Sequence, residues 1–273
     1  MILINGAEGI GTGFSCYVPP FDAEAVKHNI LCGLDQVPMV PMKPHFKGFK
    51  GKITKTKEHT WVMEGLVEKE GSQWHVTELP PGKWIQDFKE HLDDLMEKGT
   101  IQKYENHSTE TTPDFRIWGG ELKDLSLTKT IHTSNMYLIG PNGAVKKYNS
   151  PEEILMDYME IRIGTYKKRK AHLLKQLDAE IQWLSEKARF ISDVAVTPKI
   201  HVFNTPLAQI ESQLRREKYD EAIWSKLLDI KTYQYTREEV TKLRDLCTAK
   251  IAEREKVKAT PVAQMWKNNL HDL

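Results

Sequence analysis

Cysteine is scarce in this chain: Cys16, Cys32 and Cys247 are all there is. An odd number of thiols at wide spacing makes neither a disulfide framework nor a Cys-x-x-Cys pair, which excludes a thiol-based zinc set and leaves a reducing, intracellular setting as the default. The ten histidines are scattered, without metal-ligand spacing. Long apolar runs are missing too. Nothing approaches the roughly 20 residues that span a bilayer, and Met1 to Ile4 is too short for a signal-peptide core, so no membrane partner is expected. A net excess of one charge is also absent, the formal total being +1. Partners must then be read from local patches rather than from the total. Finally, no Arg-Tyr pair, no Asp-x-Asp and no Gly-Lys-Ser/Thr occurs anywhere.

What is present is enough chain for two ordinary domains, 273 residues with the apolar and charged fractions of a globular protein. The opening Met-Ile-Leu-Ile reads as a buried strand without lead-in, as if continued from something longer. Texture changes near Asn149-Ser150-Pro151. Before it, Thr60 to Val67, Trp74 to Leu79 and Asn135 to Ile139 have strand-like length and content, and Trp84 to Lys98 has helical spacing. Pro80-Pro81-Gly82 and Pro141-Asn142-Gly143 mark turns, and the polar run Asn106 to Thr112 reads as an exposed loop. After it, Ser150-Pro151-Glu152-Glu153 is a helix start with serine at the N-cap and acids in the first turn. The next 46 residues contain no proline. Leu173, Leu177, Ile181, Leu184, Ala188 and Ile191 recur there at coiled-coil spacing. A helix to about Thr197 would extend roughly 70 Å at about 1.5 Å per residue, so it is expected to project. A second helix is expected from the capping pattern at Thr236-Arg237-Glu238-Glu239, with Val240, Leu243, Cys247 and Ile251 on one face. An antiparallel pair with a helical tip at about 198–235 is the simplest geometry.

Two segments carry function. Asn5-Gly6-Ala7-Glu8-Gly9-Ile10-Gly11-Thr12-Gly13 packs four glycines into eight residues, which lets backbone approach a ligand closely. A dinucleotide fingerprint begun at Gly9 and Gly11 would have Phe14 where its third glycine belongs. From Lys43 to Lys57 there are six lysines and His45 with no acid before Glu58. The core of that stretch, His45-Phe46-Lys47-Gly48-Phe49-Lys50-Gly51-Lys52, interleaves cations with aromatics and glycines. Such a run suits sequence-independent contact with phosphates, although a charge run is more commonly a solvated face.

The run from Ile4 through Gly13-Phe14-Ser15-Cys16-Tyr17-Val18-Pro19-Pro20-Phe21 resembles the signature of type IIA DNA topoisomerases, in their eukaryotic and large-virus form. Further landmarks follow in order: the Phe-x-Gly-Phe-x-Gly element, Thr77-Glu78-Leu79-Pro80-Pro81 with Trp84, Asn135-Met136, Gly143 to Ser150, Arg162 to Lys170, and Met265-Trp266 with Leu270. The resemblance implies an α+β chain in three parts: an opening segment 1–20 with a DNA-wedge loop, a mixed tower domain 21–150, and an antiparallel coiled coil 151–273 ending in an exit gate. It implies that Ile10 wedges between base pairs, with Gly9, Gly11, Thr12, His45, Lys47, Lys50 and Lys52 around the DNA. Asn135-Met136 and Lys147-Tyr148 read first as ordinary structural residues, and the resemblance offers the alternative that they fix the tower to the base of the coiled coil. Double-stranded DNA, a second copy joined at the exit gate, and upstream topoisomerase domains are the implied partners, in the nucleus or at a viral replication site. No catalytic or metal-holding residue is expected in this chain, since the family's tyrosine and arginine, its Mg²⁺-holding acids and its ATP site lie upstream. Phe14, Cys16 and a short tip depart from the family pattern. Two other readings stay open, a stand-alone DNA-bending or bridging protein and a coiled-coil interaction module with an incidental basic surface. The basic run Lys167-Lys168-Arg169-Lys170 is either a solvated face or a lining for passing nucleic acid.

Overall fold

The computed structural model describes residues 1–271. The chain forms two compact units, Met1–Ile161 and Arg162–Leu273. Unit 1 contains α1 (Ile2–Asn5), β1 (Ala7–Gly11), β2 (Phe14–Val18), α2 (Ala23–Leu34), β3 (Lys52–Lys57), β4 (Thr60–Glu64), β5 (Leu66–Glu70), β6 (Gln73–Glu78), α3 (Ile85–Glu97), β7 (Ile101–Asn106), β8 (Phe115–Gly119), β9 (Thr128–His132), β10 (Met136–Ile139) and β11 (Val145–Tyr148). Helix α4 (Pro151–Ile191) follows. The α+β reading holds, with all strand pairing antiparallel among the described residues: β1-β2, β10-β11, β3-β4-β9 and β5-β6-β8-β7.

The four-stranded sheet is roofed by α3. Phe88, Leu92 and Leu95 recur at steps of four and three and pack on Val76, Phe115 and Ile117. Phe88 and Phe115 meet edge to face at 5.0 Å, the arrangement ring quadrupoles favour. The stretch Thr60 to Val67, expected as one strand, is two. At Gly65 a Cβ would lie 2.2 Å from the Glu78 carbonyl oxygen, so only glycine lets the chain leave one sheet for the next. The opening residues are not a strand either. They form the single turn α1 and bury only Leu3, because one apolar contact is met by a helical turn as well as by a pleat.

Helix α4 begins as its capping residues dictate. The Ser150 hydroxyl accepts from the Glu153 amide at 3.3 Å, and the Glu153 carboxylate accepts from the Asn149 amide at 2.8 Å. Unit 1 extends beyond this start, to Ile161, since Ile154, Leu155 and Met159 are buried and the Glu152 carboxylate accepts from the Met42 amide at 2.7 Å. The Tyr148 hydroxyl donates to Asp157 Oδ2 at 2.8 Å. Burial first, then this bond, push the Tyr148 phenol up to about 12. Hydrogen bonds from Lys146 and Tyr148 hold the Asp157 carboxyl below the usual range.

Unit 2 contains the rest of α4 with α5 (Leu207–Arg216), α6 (Trp224–Leu228), α7 (Arg237–Ala259) and α8 (Val262–His271). α4 ends at Ile191 and passes into a wider π turn at Ser192–Val196, short of a regular helix to Thr197. The antiparallel α4/α7 pairing is explicit in its ion pairs: Lys187 with Glu239 at 3.9 Å, Glu180 with Lys250 at 3.0 Å and Asp178 with Arg254 at 2.7 Å. These pairs also explain Ile251, expected on the buried face but 44% exposed. The seam through Val240, Leu243 and Cys247 continues to Lys250 and Arg254 instead. Farther along, the Lys170 ammonium donates to the carbonyls of Lys258 and Thr260 at 2.8 and 2.7 Å, satisfying the orphan acceptors at the end of α7. The tip has its own core of Phe190, Ile191, Ile200, Ile210, Leu214 and Leu227. Beneath it the buried carboxylate of Asp193 accepts from the Tyr219 hydroxyl at 2.8 Å.

Phe88→Ala should lower unfolding free energy by about 3–5 kcal/mol, and Thr236→Ala, which removes the 3.1 Å cap to the Glu239 amide, by about 1 kcal/mol; urea titration checks both. Asp157→Asn should destabilise at neutral pH. Because the folded carboxyl is held below its unfolded value, the difference is fully present above about pH 4 and disappears as pH falls through the lowered value. Paired titrations at pH 7 and pH 3 measure it.

Candidate nucleic-acid interface

The glycine-rich segment is a β-hairpin. β1 and β2 pair from Ala7↔Val18 to Gly11↔Phe14, leaving Thr12 and Gly13 as a two-residue turn. Gly13 takes φ of +76° there, which a side chain resists. Gly9 and Gly11 differ. Neither takes a positive φ, a Cβ at Gly9 would meet nothing within 4 Å, and one at Gly11 would make only an ordinary 3.8 Å contact. The fold therefore does not require these two glycines. Ile10 lies between them, opposite Ser15, and is 85% exposed. A core position for Ile10 is ruled out.

The hairpin is held along β2. The Asn135 amide nitrogen donates to the Ser15 hydroxyl at 2.8 Å and to the Ser15 carbonyl at 3.1 Å, and the Asn135 carbonyl accepts from the Tyr17 amide at 2.9 Å. Cys16 Sγ donates to the Tyr137 carbonyl at 2.8 Å. Phe14 meets the Tyr137 ring at 5.2 Å, whose other neighbour is the Lys147 ammonium at 5.8 Å. Asn135, read as an ordinary structural residue or as a tie to the coiled-coil base, grips the hairpin, and no local pattern announces a partner 120 residues away. Of the expected pair Lys147-Tyr148, Tyr148 does reach α4 through Asp157, and Lys147 supports Tyr137.

The basic stretch runs beside the hairpin root. The His45 amide donates to the Pro20 carbonyl at 2.8 Å, Phe21 and Pro44 form a bridge, and the half-buried His45 ring lies 4.0 Å from Asp22. A groove of about 760 Å³ is lined by Glu8 and Tyr17 of the hairpin, by Phe46, and by Lys129 and His132 of β9. Lys47, Lys50 and Lys52 are exposed. Lys47 sits in the turn closed by the 3.1 Å bond from the Phe49 amide to the Phe46 carbonyl. The Lys50 amide donates to both oxygens of Glu78 at 2.9–3.0 Å, and Lys52 opens β3 opposite Glu64. None of the three ammonium groups has an ion-pair partner among the described residues. Gly51 is needed by the fold, since a Cβ there would lie 2.2 Å from the Glu64 carbonyl oxygen.

Residues 1–271 match the family of DNA gyrase/topoisomerase IV A-type subunits. The chain belongs to the type IIA DNA topoisomerases. It is 35% identical over 237 residues to DNA topoisomerase 2 of Arabidopsis thaliana, covering 80% of this chain and 16% of that protein. With DNA topoisomerase 2-alpha of Gallus gallus it is 35% identical over 238 residues, 81% of this chain and 15% of that protein. The solved DNA-binding, cleavage and re-ligation domain of Plasmodium falciparum topoisomerase II superposes with a TM-score of 0.87 at 28% identity, over 99% of this chain and 42% of that one. The chain thus spans about a sixth of the curated topoisomerases it matches. Its hairpin is not a phosphate cradle, for no helix N-terminus follows the glycines. Among the described residues no group of three or more His, Cys, Asp or Glu is placed to hold a metal ion together. No helix among them is long and apolar enough to cross a membrane.

Asn135→Ala should speed amide exchange at Tyr17 by tenfold or more while leaving exchange in α3 unchanged, measured by hydrogen–deuterium exchange. Gly9→Ala should leave global stability within about 1 kcal/mol of the parent.

Proposed function

We propose that this chain grips and bends duplex DNA as part of the DNA gate of a type IIA topoisomerase, with Ile10 entering between base pairs as an apolar wedge. The observation that carries this reading is a large apolar side chain held 85% exposed between two glycines for which the fold has no use. Burying an isoleucine returns about 1.5–3 kcal/mol, comparable with the few kcal/mol needed to unstack one base step. Backbone contacts made possible by the bend supply the rest, and Lys47, Lys50, Lys52 and His45 are placed to make them through counterion release. Gly9, Gly11 and Thr12 keep the tip narrow enough for a groove.

In the same reading the chain works as a homodimer, its exit gate formed in unit 2. Phe203, Leu207 and Tyr233 of the tip and Leu246 of α7 are exposed, as surfaces that self-associate tend to be. The nucleophilic tyrosine, its arginine, the Mg²⁺-holding acids and the ATP site are supplied by upstream domains of the full enzyme, in a eukaryotic nucleus or at a viral replication site. By itself the chain binds without cutting, so supercoiled plasmid incubated with it, Mg²⁺ and ATP stays supercoiled.

Ile10→Ala should lessen the bend of a bound duplex, read by end-to-end energy transfer, and spare most of its salt-dependent affinity; an unchanged bend removes the wedge. Replacing Lys47, Lys50 and Lys52 together by alanine should flatten the dependence of log K on log salt by about 0.9 per lost phosphate contact.

A further inference from the structure

Proline ends α4 in a way that opens a cavity. Thr197 precedes Pro198, and the residue before a proline is pushed out of the helical region; Thr197 stands at φ −125° and ψ 78°. The last turn, Ser192–Val196, widens to the π form, which is common beside functional sites. Its backbone is tied back on itself. The Thr197 amide donates to the Ser192 carbonyl at 2.8 Å, and the Lys199 and Ile200 amides donate to the Asp193 carbonyl at 2.8 and 3.1 Å. Between this turn and α7 lies a cavity of about 650 Å³, a size usual for small-molecule sites.

Its walls are almost wholly polar. Three cations, Arg189, Lys199 and Arg244, line it together with a single carboxylate, Asp193. That carboxylate is already engaged: it accepts from the Tyr219 hydroxyl at 2.8 Å and lies 3.5 Å from the Lys199 ammonium. Arg189 is held by the Tyr219 ring at 3.8 Å and by its 2.9 Å bond to the Glu217 carbonyl, with Glu186 at 3.4 Å. Arg244 has no such tie. It is exposed and makes no ion pair or side-chain hydrogen bond among the described residues. With Asp193 and Glu186 set against Lys199 and Arg189, the Arg244 charge is surplus, and folding gives it no use. Thr248 follows Arg244 at a step of four on α7, on the same side of the helix, and Ser185, Ser192 and Thr197 add further hydroxyls from the other wall. Ala188 and Cys247 alone bring neither charge nor hydroxyl. A ligand recognised by apolar burial finds little surface here. Guanidinium, ammonium and hydroxyl groups around a polar cavity match the oxygens of phosphoryl groups.

We propose that this cavity binds a small phosphorylated polyanion, its phosphoryl oxygens taken by Arg244, Lys199 and Arg189, and that the ligand thereby ties α7 to the end of α4. The site is independent of the DNA reading, because every residue it uses lies within 185–248 of unit 2. The test uses the full chain at constant ionic strength, with pyrophosphate and fructose 1,6-bisphosphate as separate probes, an inorganic and an organic source of the same chemistry. Binding is read locally, by hydrogen–deuterium exchange at the Thr197, Lys199 and Ile200 amides, so that anions collected on lysines elsewhere do not register. At ten times its Kd, at least one probe should slow these amides by about tenfold and leave α3 unchanged. Arg244→Glu should weaken that probe by about tenfold or more. Lys242→Glu makes the same charge change at an exposed residue of α7 outside the cavity and should leave the affinity as it was. Protection by neither probe overturns the site, as does protection that survives Arg244→Glu. Equal loss in the two glutamate variants also overturns it, reducing the effect to general surface charge. Protection by pyrophosphate alone supports an inorganic ligand, and protection by the bisphosphate alone supports a phosphorylated polyol.

Discussion

The hairpin is held through its return strand β2, chiefly by Asn135, and the proposed DNA chemistry depends on that hold. Asn135 spends its side-chain amide on Ser15 and its carbonyl on Tyr17, which fixes β2 while leaving the far end of β1 without a covering layer. Two-stranded ribbons are marginal by themselves, and β1 contributes two glycines, the poorest strand formers. The sulfhydryl bond from Cys16 and the Phe14–Tyr137 ring contact stiffen the return strand, so the weak strand is carried by the strong one. The result is a narrow, oriented projection whose exposed isoleucine gains nothing from its own fold. Hydrophobic free energy left unrealised in the monomer is available to a complex.

The surroundings of the hairpin favour contact with a polyanion without specifying a sequence. Among the exposed lysines of the 43–57 stretch, the Lys50 amide sits on the Glu78 carboxylate, and the Lys52 backbone is ordered by its place in β3 opposite β4. The Glu78 carboxylate orders the backbone just before β3 and leaves the Lys50 ammonium free of it. A rigid scaffold with mobile charged heads is well suited to following a bent backbone, because little ordering entropy is lost by the scaffold on contact.

Much of this arrangement was legible in the sequence wherever it depends on neighbours along the chain. The caps at Ser150 and Thr236, the turn at Pro80-Pro81-Gly82 and the α3 stripe Phe88, Leu92, Leu95 all rest on local rules, and the structure follows them. The exposed Ile10 tip was legible through resemblance, since glycine content alone reads equally well as a flexible loop. What escaped was set at long range. Asn135 serves the hairpin because folding brings β2 to β10; Gly65 splits a strand because Glu78 of another strand crowds it; and Ile251 leaves the seam because ion pairs to Asp178 and Glu180 take its place. The apolar opening residues misled for the opposite reason, as a β-like composition prescribes no strand where there is no sheet to join.

A formal charge near zero would ordinarily argue against a nucleic-acid partner, and here it argues only against the average. Screening confines each charge to about a Debye length, roughly 8–10 Å at ordinary ionic strength, which is shorter than either unit. In the proposed reading a duplex therefore senses the lysines beside the hairpin and not the balanced charge of residues 178–255. Balance at the tip has its own logic. Two copies of a tip rich in one charge would repel, whereas the near balance of acids and bases across residues 178–255, with Phe203, Leu207 and Tyr233 exposed, suits the proposed meeting of like surfaces. Segregated charge within one chain thus fits the proposal that a nearly neutral protein attracts a polyanion at one face and a copy of itself at another.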